Sequence, residues 1–532
     1  MSGETAQDGA LSPGASAADD RDAPRRGGVA GADRLLLAGV FLIAASGLAY
    51  ELIAGAAASY LLGDSVTQYS LVIGVFMTAM GVGAWISRYV AAPEAVFCRS
   101  QLALGVLGGA SAPLFYLAFA LVEPFSVVLF GVVFALGCLS GLEIPLMMRI
   151  LQARGVTRHA LSTVLTLDYA GALAAAVAFP LLIVPWLGLL SASLVFGLMN
   201  LGVAWLALEI LQPEGARRLK RWAGLAIAAG VLGLVFSERL IGAAEASLYQ
   251  DEVVTALDTS YQRLVVTKRG ERTRLFLDGA LQFDSQDEHR YHEALAHPAM
   301  RRAERLRSVL ILGGGDGMAA REALRYPIER LVLVDLDPAV TRLFSEARFA
   351  ALNGAAFSDP RVEIIHADAF TWLAEGEERF DVIIADLPDP RTLSLSKLYS
   401  RAFYARLADR LEAGGAAAVQ AGAPYYAPEA YWSVIATLES APNALRLGEG
   451  MPVTPYAVWV PSFGLWGFAL AGPAARAAPK RPLPEGLRMH TAESWAAMTH
   501  FTQDLARRPA EINTLRGHAL LRYHREGWAR HQ

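Results

Sequence analysis

The sequence of 532 residues contains only two cysteines, Cys98 and Cys138, and both lie in its apolar first half. Two thiols can build neither a disulfide framework nor a cysteine-based zinc site. Charge is also scarce: 18% of the residues are charged, the formal net charge is −4, and the basic residues are scattered. A nucleic-acid partner would need a concentrated basic surface, so we expect no nucleic-acid partner. We also expect no bound metal.

Apolar residues are abundant instead. They make up 54% of the chain, and the mean hydropathy of +0.33 is too high for an ordinary soluble protein of this size. Residues 1–32 are rich in Ala, Gly, Ser and Asp and are predicted to form a disordered tail rather than a signal peptide. Residues 33–240 are predicted to form a membrane domain of six or seven helices, with the lipid bilayer as partner.

Six stretches approach the roughly 20 residues that a helix needs to cross a bilayer. They run over 33–57, 68–87, 101–122, 125–148, 160–184 and 187–208, and a weaker stretch covers 223–237. Basic residues mark every second connection: Arg88 and Arg99, then Arg149, Arg154 and Arg158, then Arg217, Arg218, Lys220 and Arg221. Because cytoplasmic loops carry an excess of Lys and Arg, these connections are expected inside the cell. If 223–237 also spans, the second half would face outward; if it lies in the interface, that half faces the cytoplasm.

Three acids fall within predicted spans: Glu51, Glu143 and Asp168. Ionisable groups in lipid are costly, so each is a functional candidate. One interpretation is a path for polyamines or other cations. The other is that the acids pair with Arg149, or with backbone and small neighbours, and fix the packing of the helices.

The pattern changes near residue 249, where short β-rich runs replace the long apolar stretches. Residues 249–300 are predicted to form a small β-rich region with a hairpin from Leu264 to Leu277 and a helix from about Glu288. Residues 301–472 alternate strands and helices, which predicts a Rossmann-like α/β domain. Residues 473–532 are predicted to form a helical extension.

Carboxylates follow four successive predicted strands of the α/β domain: Asp316 in a glycine-rich loop, then Asp335, Asp368 and Asp386. Ligands of open α/β sheets bind beyond the carboxyl ends of the strands, so these acids should surround one crevice. Asp316 would repel the carboxylate of S-adenosylmethionine, whereas the decarboxylated form offers an ammonium and a sulfonium. A dicationic diamine would likewise suit Asp386 and Asp389.

Five ordered motifs resemble the polyamine aminopropyltransferase (spermidine synthase) family: Tyr261-Gln262-Arg263, Leu277 through Gln282, Asp287 through Glu293, Gly313 through Gly317 and Asp386 through Pro390. The resemblance covers roughly residues 249–472, and the apolar half resembles the bacterial subgroup whose synthase follows a multi-helix membrane domain. It implies a class I S-adenosylmethionine-dependent transferase fold and a homo-oligomer. It also implies aminopropyl transfer from decarboxylated S-adenosylmethionine, a co-substrate rather than a bound cofactor, to a diamine, foremost putrescine.

The resemblance implies roles for the matching residues. Those that would bind the donor are Gln262 and Asp316 at its tail, His292 beside its amine, Asp335 at the ribose and Asp368 at the adenine amine, together with Gly313 and Gly315 of the glycine loop. Asp386 and Tyr291 would be catalytic, and Asp389 and Gln420 would lie near the acceptor. Apart from the resemblance, four aromatic residues are candidates for an apolar wall of the acceptor site or are core residues: Tyr425, Tyr426, Tyr456 and Trp466.

The sequence departs from the family in one loop. The usual Asp-Ser-Ser-Asp-Pro is Asp-Leu-Pro-Asp-Pro here, and the Gly-Pro that commonly follows is replaced by Arg391-Thr392. We therefore expect the loop over 390–400 to shape a different acceptor site. Because the donor is a cytosolic metabolite, we expect a cytoplasmic catalytic domain, although the charge pattern leaves this open. Two alternatives remain at this stage: a methyltransferase that uses intact S-adenosylmethionine, and a polyamine transporter or sensor with a non-catalytic synthase-like domain.

Overall fold

The computed structural model describes residues 31–62, 65–155, 160–237, 249–259, 261–443 and 446–531. The tail predicted over residues 1–32 lies almost entirely outside the described residues. The helices of the first half are α1 (Gly31–Leu62), α2 (Ser65–Ser87), α3 (Pro93–Leu121), α4 (Phe125–Gly141), α5 (Glu143–Ala153), α6 (Ala160–Ala178), a π-helical turn (Phe179–Ile183), α7 (Val184–Leu211) and α8 (Ala216–Val235).

Five helical stretches of the described residues are long and apolar enough to cross a membrane. The longest, Leu161–Leu211, contains both α6 and α7. Gly171 on α6 packs against the backbone of Phe41, while a Cβ on Gly39 would lie 3.1 Å from Val203 on α7. Residues 171 and 203 can approach the same part of α1 only because the chain reverses between them, near Gly188, whose φ is 67°.

The weak seventh stretch of the sequence lies within α8, which is 20 residues long. A Cβ on Gly224 would lie 3.6 Å from Trp205, and a Cβ on Gly233 would lie 3.4 Å from Leu194. As residue numbers rise along α8 they fall along α7, so the two helices are antiparallel. The described helices therefore run along the bundle seven times, with α4 and α5 together counted once and interrupted at Leu142. Helix α8 is not among the stretches that are long and apolar enough to cross a membrane.

The second half of the chain sits at one end of this bundle. Tyr60, near the end of α1, hydrogen-bonds with Tyr249, and the rings of Tyr60 and Tyr116 lie 6.1 Å apart. At the chain reversal, a Cβ on Gly188 would lie 3.8 Å from the carboxylate of Asp258. The connections at this end are α1–α2, α3–α4 and α6–α7, and none of the three contains Lys or Arg.

A four-stranded antiparallel sheet follows, with strands β1 (Glu252–Asp258), β2 (Arg263–Arg269), β3 (Arg272–Leu277) and β4 (Ala280–Asp284) in sequential order. The predicted hairpin is present as β2 and β3, which pair in register from Leu264 and Leu277 to Arg269 and Arg272. The sequence analysis missed β1. Helix α9 (Glu288–Arg302) then leads into the larger sheet.

The Rossmann-like fold is confirmed by a seven-stranded mixed sheet of order β12-β13-β9-β8-β5-β6-β7. Its strands are β5 (Ser308–Gly313), β6 (Arg330–Asp335), β7 (Val362–His366), β8 (Phe380–Asp386), β9 (Leu411–Gly422), β12 (Val453–Val460) and β13 (Gly464–Ala471). The short strands β10 (Pro442–Asn443) and β11 (Arg446–Gly450) form a separate pair. Strands β5 to β9 are parallel, whereas β13 is antiparallel to β9 and to β12.

Helices cover both faces of this sheet. They are α10 (Met318–Leu324), α11 (Pro338–Ser345), α12 (Ala347–Ala350), α13 (Ala369–Glu375), α14 (Leu393–Ser396), α15 (Arg401–Asp409), α16 (Pro428–Ser440), α17 (Ala492–Met498) and α18 (Ala519–Ala529). The C-terminal segment is held by Glu293 of α9, whose carboxylate accepts hydrogen bonds of 2.8 Å from the backbone N–H groups of Arg488, Met489 and His490.

Candidate active site

The crevice lies where the order of the parallel strands reverses, between β5 and β8. Gly313 ends β5 and pairs with Asp386 at the end of β8. Gly313 has a φ of 79°, and a Cβ there would clash with the carbonyl oxygen of Asp386. Glycine is thus required for the two strand ends to stay this close. In open α/β sheets this reversal is where ligands bind, so Asp386 stands at the expected position.

The glycine loop also brings in the acid of the next strand. The backbone N–H of Gly315 donates to Asp335 Oδ2 at 3.0 Å, and the N–H of Asp337 donates to Asp335 Oδ1 at 2.9 Å. A Cβ on Gly315 would lie 2.7 Å from the same carboxylate. Burial raises the pKa of Asp335, and these two hydrogen bonds limit the rise.

Tyr291 and Asp386 form the central contact. The Tyr291 hydroxyl donates to Asp386 Oδ1 at 2.7 Å, and Tyr291 is 8% exposed on helix α9. Burial raises the pKa of Asp386, while the charge of His292 and the hydrogen bond from Tyr291 limit this rise. The result is a carboxylate with elevated proton affinity, held by a neutral phenol whose own pKa burial raises well above its usual value.

His292, the next residue on α9, is held by Glu288 one turn earlier. Its Nδ1 lies 2.8 Å from Glu288 Oε2, and Arg321 Nη2 donates to the same oxygen at 2.9 Å. Burial alone would lower the pKa of His292, but Glu288 and the charges of Asp316 and Asp386 raise it to about 9. Burial alone would raise the pKa of Glu288, but His292 and Arg321 lower it to about 2. His292 is therefore a cation among carboxylates.

Asp316 completes this group. Its Oδ1 accepts a hydrogen bond of 2.9 Å from the backbone N–H of Met318. Burial raises the pKa of Asp316 to about 6; the charge of His292 lowers it and that of Asp386 raises it further. Four of the residues singled out in the sequence, Tyr291, His292, Asp316 and Asp386, thus interact directly or through their charges.

The remaining residues proposed for the donor lie on either side. Gln262 Nε2 donates to Oδ2 of Asp337, which follows β6, at 3.1 Å. Asp368 caps helix α13 by accepting from the N–H of Thr371 and also pairs with Lys397 Nζ at 2.6 Å. Burial alone would raise the pKa of Asp368, but Lys397 lowers it.

Of the residues proposed for the acceptor, Asp389 and Gln420 lie at the loop after β8, whereas Tyr456 lies in the core. Asp389 lies beside the crevice, with Gln420 Nε2 at 3.5 Å. Gln420 also fixes the loop after β8, because Nε2 donates to the carbonyl of Leu387 at 2.7 Å and contacts Tyr399. Tyr456 is fully buried, and its hydroxyl donates to the carbonyl of Ala294 at 3.0 Å.

An aromatic cluster surrounds the Tyr291 ring. Phe468 lies 5.1 Å away between ring centroids, Phe463 at 6.1 Å and Trp466 at 6.5 Å. The Trp466 Nε1 is buried and has no hydrogen-bond partner. By contrast, Tyr426 stacks on Trp528 of the C-terminal helix at 4.8 Å. Among the aromatic candidates of the sequence, Trp466 is therefore near Tyr291 and Tyr426 packs elsewhere.

Sequence reasoning missed Glu288, Arg321, Lys397 and Phe463. Glu288 was detectable, because it precedes His292 by four residues on a predicted helix and such residues are neighbours. Arg321 and Lys397 carry no sequence signal of this kind, since they reach the site from separate elements.

Comparisons with known proteins agree with this geometry. A family model described as a spermine/spermidine synthase domain matches residues 288–475. Polyamine aminopropyltransferase 2 of Ralstonia nicotianae is 46% identical over 93% of this chain and 98% of its own length. The polyamine aminopropyltransferases of Leptospira interrogans and Mycobacterium tuberculosis are 40% and 39% identical, over 92% and 93% of this chain and 98% and 96% of theirs. The spermidine synthase structure from Thermotoga maritima is 23% identical, covers 48% of this chain and 87% of its own, and has a TM-score of 0.42.

The Rossmann-like sheet and its synthase domain define an aminopropyl-transferring enzyme, with decarboxylated S-adenosylmethionine as co-substrate. On the identity and coverage of its relatives, the chain belongs to the polyamine aminopropyltransferase family. This confirms the predicted aminopropyl transfer in preference to methyl transfer.

Proposed function

We propose that the chain transfers the aminopropyl group of decarboxylated S-adenosylmethionine to putrescine and forms spermidine and methylthioadenosine. The contact between Tyr291 and Asp386 at the end of β8 carries this proposal. It places a buried carboxylate with raised proton affinity at the point of the sheet where ligands bind.

In this mechanism Asp386 accepts a proton from the attacking amine. An alkyl ammonium with a pKa near 10 has no free electron pair, so it must lose a proton before attack. The raised pKa of Asp386 narrows the difference in proton affinity between its carboxylate and the substrate amine. Tyr291 orients the carboxylate by donating to Oδ1, which leaves Oδ2 for the amine.

The displacement itself is in-line. The amine nitrogen forms a bond to the methylene carbon beside the sulfonium, the carbon–sulfur bond breaks, and its electron pair stays on sulfur as neutral methylthioadenosine. The enzyme contributes by holding nitrogen and carbon about 3–3.5 Å apart in the correct orientation.

Charge and shape assign the two substrates to opposite sides of Asp386. The donor would lie along the glycine loop, with its ammonium at Asp316 and its ribose at Asp335. The acceptor would lie towards Asp389, with Phe463 and Trp466 as apolar walls for its alkyl chain. Gln420 would act by holding the loop after β8 in place, and Tyr456 by supporting α9 from behind.

The helical half is proposed to anchor the enzyme in the cell membrane. The length and composition of its apolar helices support this location. The proposed assembly, a homo-oligomer, remains a prediction.

Product analysis tests the reaction. Membranes that contain the full chain are supplied with decarboxylated donor and with putrescine, cadaverine or spermidine, and products are identified by mass spectrometry. We expect spermidine and methylthioadenosine from putrescine. In Asp386→Asn, turnover should fall by about 100-fold or more while donor affinity changes little, because only proton acceptance is lost.

The matched control is Asp409→Asn, an exposed carboxylate at the end of α15. Its turnover should equal that of the parent enzyme. Comparable losses of turnover and donor affinity in Asp386→Asn would contradict the assigned role, and a product from another diamine alone would contradict putrescine.

A further inference from the structure

Two acids of the helical half, Glu143 and Asp168, lie at matching depth in the bundle. Glu143 precedes the end of α5 at Ala153 by ten residues, and Asp168 follows the start of α6 at Ala160 by eight. At 1.5 Å per residue they lie about 15 Å and about 12 Å from the same end of the bundle. Helices α5 and α6 pack against each other, so the two carboxylates lie on neighbouring helices. We call Glu143 and Asp168 the acid pair.

The acid pair has no basic partner among the described residues. Arg149, which the sequence offered as a counter-ion, donates instead from Nη1 to the carbonyl of Ser87 at 3.1 Å. Arg154 pairs with Asp33 at 2.7 Å, near the end of the bundle. The interpretation that Arg149 neutralises these acids therefore has no support in the geometry.

Other polar groups nearby are also unsatisfied. Glu143 is only 4% exposed, and its Oε1 has no hydrogen-bond partner. The Oγ of Ser140, one turn earlier, is buried without a partner and lies 3.6 Å from a Cβ built on Gly47 of α1. Buried polar groups without partners are rare in proteins, so the unpartnered atoms of Glu143 and Ser140, one helical turn apart, indicate that a polar ligand belongs there.

The chemistry of the cluster favours an extended ammonium ion. In the part of the chain that the structure describes, no three His, Cys, Asp or Glu side chains converge closely enough to hold a metal ion. Two separate carboxylates with a neutral hydroxyl acceptor instead suit a cation whose charges are spread along a chain and whose N–H groups donate hydrogen bonds.

We infer that the acid pair binds the ammonium groups of a polyamine inside the membrane-spanning bundle, at a site separate from the catalytic crevice. The inference rests on the membrane location proposed above and not on the identity of the acceptor. It assigns the helical half a second polyamine site, which lets this half sense or pass the class of molecule that the catalytic half handles.

Radiolabelled spermidine binding to the full chain in lipid nanodiscs tests this inference. The wild type should bind one equivalent more than the double variant Glu143→Gln/Asp168→Asn, whose remaining binding belongs to the catalytic half. Asp168→Asn alone should weaken spermidine affinity at the additional site by about tenfold or more. Glu143→Asp, which keeps a carboxylate, should retain most of the binding. The single variant also keeps the test decisive if the double variant fails to fold.

The matched control is Glu209→Gln, which removes an exposed acid of α7 that pairs with Lys220; it should bind like the wild type. Equal stoichiometry in the wild type and the acid-pair variants would overturn the inference. Binding of sodium ions but not spermidine at the acid pair would also overturn it. Aminopropyl transfer is measured on the same samples, so loss of the reaction is distinguished from loss of this site.

Discussion

At the scale of single residues, His292 links the charges of the site. It is cationic and lowers the pKa of both Asp316 and Asp386. Asp316, with a pKa of about 6, is charged above that pH and neutral below it. Because the proposed donor is cationic, kcat/KM for the donor should fall as pH decreases through about 6.

His292→Gln removes the positive charge, so the pKa of Asp316 should rise. The acid limb of the donor kcat/KM profile is therefore expected to move to higher pH by about one unit. His289→Gln serves as the control on the same helix, because His289 interacts with Arg488 and Glu293 rather than with Asp316. An unmoved limb, or a shift to lower pH, would show that His292 does not set the charge of this site.

At the scale of elements, the loop between β8 and α15 is held from both ends. Tyr399 donates to the carbonyls of Leu387 and Pro388 at 2.9 and 3.0 Å, and Lys397 closes on Asp368 at 2.6 Å. Lys397 of this loop thus pairs with Asp368, the carboxylate proposed to bind the adenine amine. Donor binding at Asp368 has to compete with Lys397.

Lys397→Met should remove this competition and lower the KM for the donor. The effect is at most about fivefold, because both side chains are about a third exposed and such ion pairs are worth about 1 kcal/mol or less. Steady-state kinetics with varied donor measures it, and Lys480→Met, near Glu304 on the protein surface, is the control. A higher donor KM would instead make Lys397 part of the binding site.

The same elements show what sequence reasoning can and cannot supply. Strand ends and glycines are local signals, so the crevice formed by Gly313, Asp316 and Asp386 was predictable before any contact was known. The hydrogen bond from Gln420 to Leu387 and the ion pair of Lys397 with Asp368 depend instead on which loop folds over which strand. A motif match cannot supply that information, because their partners Leu387 and Asp368 lie 33 and 29 positions away in sequence.

At the scale of the whole molecule, charge is divided between the two ends of the helical bundle. Basic residues lie after α2, after α5 and at the start of α8. The opposite end contacts the catalytic half through Tyr60, Tyr249 and Asp258. Helix α8 returns along α7 to that opposite end. Helix α1 therefore begins at the basic end of the bundle, and α8 ends at the end that contacts the catalytic half. Helix α8 is not among the stretches that are long and apolar enough to cross a membrane.

Because basic connections stay in the cytoplasm, a membrane-crossing α8 predicts a catalytic half on the outer side of the membrane. That outcome opposes the expectation from a cytosolic donor, and labelling of intact cells separates the two. With Cys98 and Cys138 replaced by Ser, Glu375→Cys in the catalytic half should react with a membrane-impermeant maleimide, while Glu214→Cys, between α7 and α8, should react only after permeabilisation. The reverse pattern would place the catalytic half in the cytoplasm and show that the fold of this bundle overrides its own charge asymmetry.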